Sequence, residues 1–204
     1  MREANEMEAL VLTKSTRRFF GVVLAAVVSG LAVVPAANAT MLEQFRFVDD
    51  PYAFDETVCG IDVHGEGTAT GAGSTRTGKG KLASAFFVHV NFAYSETWTA
   101  DNGRFVTVTG KSNNNEVKAV PLGDNVFRFT DTQAGQPFTL YDSEGNLLLS
   151  DRGLIRFTFD FDTLGDAEPG GEFVQEVDLS LRGPHPGFED ETLCPVLVPL
   201  LAGP

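Results

Sequence analysis

From Ile155 to Asp162 the chain reads IRFTFDFD. The alternation is unbroken, with Ile155, Phe157, Phe159 and Phe161 on one side and Arg156, Thr158, Asp160 and Asp162 on the other. A period of two over that length fits a strand with one buried and one wet face. It fits no helix, whose faces repeat every 3.6 residues. The preceding segment, DSEGNLLLS from Asp142, carries a turn signal followed by three leucines. The two together read as antiparallel strands joined by tight turns.

The same period recurs elsewhere. Ile61, Val63, Gly65, Gly67 and Ala69 share one side of a strand whose inward face is small, which leaves room for bulky groups opposite. A Gly, Ser and Thr loop is expected from Gly71 to Gly80. Between Lys81 and Ala100, Leu82, Phe86, Val88, Val90 and Phe92 share one parity and Phe87, His89 and Asn91 the other, both fairly apolar. Asp101-Asn102-Gly103 is a hairpin signal that returns the chain into Phe105 to Thr109. Asn113-Asn114-Asn115 reads as another loop. Short strands follow at Glu116 to Val120, Asn125 to Thr130, Pro137 to Tyr141 and Asn146 to Ser150. The last strand, Glu172 to Arg182, is expected to face Phe173, Gln175, Val177, Leu179 and Leu181 inward. No helical stripe stands out. Eight or nine hairpin-linked strands and 17 phenylalanines predict an all-β chain, a single antiparallel up-and-down β-barrel of about eight strands, with a β-sandwich as the alternative.

Residues 1–39 read as a targeting segment: Lys14, Arg17 and Arg18, an apolar run from Phe19 to Val34, and Ala37-Asn38-Ala39 as a cleavage site. The acidic stretch MREANEMEALVLT ahead of it reads as an over-long start. The expected layout is then an irregular lead-in over 40–58, a β-domain over 59–194 and a tail over 195–204. Export makes the protein secreted and extracellular, with no membrane attachment after cleavage. In that setting Cys59 and Cys194, near the two ends of the domain, are expected to form a disulfide. The chain carries 15 Lys and Arg against 28 Asp and Glu, a formal net charge of −13. That balance disfavours nucleic acid and anionic membrane surfaces, whose phosphates would be repelled.

Reactive residues are sparse. His64 lies on the wet parity of its strand, His185 lies between prolines, and His89 alone reads as half-buried, so no metal site is expected. Asp160, Asp162, Asp166 and Glu168 cluster near a glycine turn, but their spacing does not match the calcium loop and they read as a solvated turn. No nucleophile elbow, phosphate loop, dinucleotide fingerprint or zinc-protease motif occurs. No catalytic residue and no cofactor is assigned. The candidates for contact with a ligand are Phe87, His89, Asn91, Glu96 and Trp98.

Three blocks, AGQPFTLYDSEGNLLLSDRGLIRFTFDFDT, EPGGEF and RGPHPGFEDETLC, resemble those of small exported proteins of high-GC Gram-positive bacteria, over roughly Val58 to Cys194. That resemblance implies export and supplies no activity. Lipocalins and allene oxide cyclases are similar by fold analogy alone. The lipocalin G-x-W mark is absent, since Trp98 follows Glu96-Thr97. Three functions are expected of such a chain: binding of a small apolar molecule or an extracellular partner, a barrel enzyme of isomerase or cyclase type, and a structural role in the envelope.

Overall fold

Nine antiparallel strands form one sheet, in a computed structural model that describes residues 41–166 and 168–203. They are β1 (Met41–Val48), β2 (Tyr52–Val58), β3 (Ile61–Thr77), β4 (Phe86–Ala100), β5 (Phe105–Gly123), β6 (Val126–Tyr141), β7 (Leu147–Ser150), β8 (Gly153–Asp162) and β9 (Glu172–Arg182). A C-terminal helix, α1, spans Asp190–Ala202. The strand order is β1-β3-β4-β5-β6-β8-β9, with β2 also on β3 and β7 also on β6. β1 pairs with residues 70–76 of β3 and β2 with residues 61–67, so the two short strands lie end to end along one edge. The chain is all-β and antiparallel, as expected. The sheet is not closed: its hydrogen-bonded path ends at β1 and β2 on one side and at β9 on the other.

The sheet covers its own inner face. Neighbouring strands lie about 4.8 Å apart, so β4 and β6, with β5 between them, are separated by about twice that. Yet the ring centroids of Phe87 and Phe129 are 5.9 Å apart and those of Trp98 and Phe138 6.2 Å apart. Such distances across an intervening strand require strong curvature. The core that results holds Ala85, Phe87, Ala119, Phe127, Phe129, Phe157 and Phe159, with Leu82 and Phe161 packed against it. Phe129 lies 5.7 Å from Phe159, and Phe157 lies 5.2 Å from Phe159. The alternation of Ile155, Phe157 and Phe159 therefore supplies one wall of the core, and these three side chains are buried.

The small face of β3 is filled from its own sheet. Gly65, Gly67, Gly71 and Gly73 pair with Phe54, Tyr52, Phe47 and Phe45, whose rings occupy the space a Cβ would take. The room left by small residues is thus used by aromatic side chains of the edge strands. This stabilises short strands that have little else to bury.

Five expectations require correction. The lead-in is not irregular, because Phe45 and Phe47, then Tyr52 and Phe54, alternate as inner residues of β1 and β2. The stretch 71–77 and Asn113 to Asn115 are not loops. Both are paired on two sides, within β3 and β5, and the ladder overrides their polar composition. The tail, where no helical stripe was expected, is helical: α1 buries Leu193, Leu197 and Leu201, one every four residues, despite Pro195 and Pro199 inside it. Finally, β9 has the expected bounds but not the expected face. Its register slips at Val177 and again at Val174, so Glu176 shares the side of Phe173, Leu179 and Leu181, and Gln175 turns outward.

The disulfide links Cys59 to Cys194. It joins the β2–β3 turn to α1, which lies against β3, β4 and β5. Asn102, in the β4–β5 turn, adds a second tie by donating from Nδ2 to the Leu201 carbonyl oxygen at 2.7 Å.

Candidate functional site

The five sequence candidates do not come together. Phe87 is a core side chain, with the Arg76 guanidinium 5.8 Å from its ring centroid. His89 and Asn91 lie on the outer face, where Asn113 Nδ2 donates to His89 Nε2 at 2.7 Å and to Asn91 Oδ1 at 2.8 Å. Glu96 and Trp98 lie on the inner face. Glu96 accepts from the Tyr52 hydroxyl and from Trp98 Nε1, both at 2.8 Å. Burial, with the Glu96 carboxylate beside it, holds the Tyr52 phenol above its ordinary value. Parity on β4 separates His89 and Asn91 from Glu96 and Trp98; Phe87, of the parity of His89, reaches the core at the start of the strand.

Two further inner-face carboxyls went unread in the sequence, since each sits in a polar stretch. Glu116 and Asp131 are register partners on β5 and β6. Glu116 is half-buried as a residue, but its carboxyl lies deeper and accepts the Val88 N–H at 2.6 Å. Burial pushes its pKa up to about 8 from the usual 4.5, partly offset by that hydrogen bond. Asp131 is raised by the same cause, against hydrogen bonds from the backbone of Thr132 and Asn115. Beside them Gln133 Nε2 donates to Ser112 Oγ at 2.9 Å. The two carboxyls take their hydrogen bonds from the backbone, and Gln133 and Ser112 satisfy each other.

The outer face places its charges differently from expectation. Asp160 is not solvated but 2 % exposed. Arg128 donates to it from Nε at 2.8 Å and from a terminal nitrogen at 3.0 Å, and Gln175 donates at 2.7 Å. The Arg128 hydrogen bonds hold its carboxyl below the usual range. Asp162 and Asp166 each accept a backbone N–H two residues on. Among the described residues no group of three or more His, Cys, Asp or Glu is arranged to hold a metal ion. His64 is exposed as expected, and a hydrogen bond to Asp55 raises its pKa.

His185 is the histidine that the sequence misplaced. It is 1 % exposed, and Asp151 beside it is fully buried. Its Nε2 lies 3.2 Å from the Arg182 carbonyl oxygen, which only accepts, so Nε2 carries a proton. Its Nδ1 faces Asp151 Oδ2 at 3.8 Å, and neither atom has a hydrogen-bond partner among the described residues. Asp151 Oδ1 also accepts the Gly187 N–H at 2.8 Å. The pair thereby fastens the segment leading into α1 to the β7–β8 corner. Asp151→Ala strands both Gly187 N–H and His185, and should cost about 2–4 kcal/mol in denaturant unfolding. Asp151→Asn keeps an acceptor and gains a donor, and should cost under about 1 kcal/mol.

Among the described residues β9 carries five exposed large apolar side chains, against four on β5 and three on β1. On β9, Phe173, Val174, Val177, Leu179 and Leu181 are all exposed, Phe173 by 58 %. Among the described residues no strand pairs with the far edge of β9. An edge strand of 11 residues with five exposed apolar side chains is a template for another strand.

No family model, curated protein or solved structure matches the chain. Among the described residues no helix is long and apolar enough to cross a membrane. The disulfide is compatible with an extracellular protein.

Proposed function

We propose that this is an exported, non-catalytic binding protein that engages an extended segment of an extracellular partner by strand addition along β9. The observation that carries the reading is the unpaired edge of β9 with its five exposed apolar side chains. In strand addition, main-chain hydrogen bonds supply affinity and alternate side chains supply selectivity. A rigid curled sheet, fastened at its other end by the disulfide and α1, presents such an edge at little ordering cost. Peptides selected from a displayed random library against the immobilised protein should bind the wild type and lose binding to Phe173→Lys and Leu179→Lys. Selected peptides indifferent to both substitutions would contradict the reading.

A second reading, a small apolar ligand on the inner face, is favoured by one observation. Glu96 is held by Tyr52 and Trp98, and the half-buried ring of Phe54 stacks on Tyr52 with centroids 6.3 Å apart. A bound small molecule seen by native mass spectrometry of protein taken from its culture medium would support it, and the isomerase or cyclase alternative would need the same site.

A further inference from the structure

Resting on the β9 reading, the charges of that edge select its occupant. The inner side of the strand carries Phe173, Glu176, Leu179 and Leu181, and the outer side Glu172, Gln175, Asp178, Ser180 and Arg182. Three carboxylates thus stand against one guanidinium, and Asp166 and Glu168 flank them in the preceding loop. We infer that the segment pairing with β9 is an extended strand that alternates apolar with basic residues. Its apolar side chains cover Phe173, Leu179 and Leu181 on the inner side, and its lysines or arginines stand beside Glu172 and Asp178 on the outer side. Opposite charges across a strand pair attract, and like charges repel.

A second copy of this chain does not meet that requirement. Antiparallel self-pairing about Val177 would give Glu172 the single Arg182 of the other copy and leave Asp178 without a base, and parallel in-register pairing would set each carboxylate beside itself. The whole chain carries −13, which adds a long-range penalty to self-association. These features leave a complementary, basic strand as the fitting occupant.

Three designed peptides test this against isotope-labelled full-length mature protein: one alternating valine and lysine, one valine and serine, one valine and glutamate. The lysine peptide should shift the β9 amide resonances and bind about tenfold more tightly than the serine peptide. The glutamate peptide should not bind. Added salt should shrink the lysine advantage, and Glu172→Gln with Asp178→Asn should remove most of it while the protein stays folded. If the serine peptide binds β9 as tightly as the lysine peptide, the charge inference is overturned and the edge reading survives. If no peptide moves the β9 resonances, both are overturned. A dimer with protected β9 amides in the absence of peptide would overturn the choice of occupant.

Discussion

Raising the pH from about 5 to about 8 should weaken the folded state by about 2–5 kcal/mol, and Glu116→Gln should abolish most of that loss. The sign follows from the protons. The Glu116 carboxyl holds its proton up to about 8 when folded and releases it near 4.5 when unfolded. Between those values the native state binds more protons than the unfolded one, so stability is full below the lower value and is lost as pH rises through the upper. One pKa unit corresponds to about 1.4 kcal/mol, which sets the top of the range; relaxation around the ionised group lowers it. Asp131, raised by burial and facing Glu116, acts in the same direction. Gln at 116 retains an acceptor for the Val88 N–H and carries no charge. Urea unfolding across the pH series reads the effect. A slope unchanged by the substitution would place the titration elsewhere.

The second large effect belongs to the disulfide. Replacing Cys59 and Cys194 together by Ser should cost about 3–5 kcal/mol, since the bridge closes a sequence separation of 135 residues and removes that much freedom from the unfolded chain. The loss should be uneven. The helix is held otherwise by Leu193, Leu197 and Leu201 and by Asn102, so its amides should lose exchange protection before those of β4 to β6. Equal stability with and without the bridge, measured in denaturant, would show that the clasp does not constrain the fold.

The central strand was legible because nothing interrupts its alternation, and the two cysteines because nothing competes with their pairing. The β2–β3 turn hid because Cys59 occupies a positive-φ position ahead of Gly60, where Asn is the usual signal. The helix hid behind Pro195 and Pro199. Each lacks the N–H that would bond back one turn, yet Leu193, Leu197 and Leu201 keep their four-residue spacing. On β9 the composition announced a strand, but register slips leave no mark in a sequence, so its inner face was misjudged. The same limit applies to the sites. Glu96 and Trp98 do lie together, whereas Glu116, Asp131 and the Asp151–His185 pair depend on which strands meet: Glu116 begins an expected strand and His185 lies between prolines, and neither position shows what lies across from it.

Residue-resolved hydrogen exchange on the protein without any partner tests the central claim, an open edge at β9, most directly. Alternate amides of β9 should exchange fast, as those facing away from β8 do in an unpaired edge, while β4, β5 and β6 remain protected. If every β9 amide is as slow as those of β5, the edge is already paired, the sheet is closed, and strand addition at β9 cannot be what this protein does.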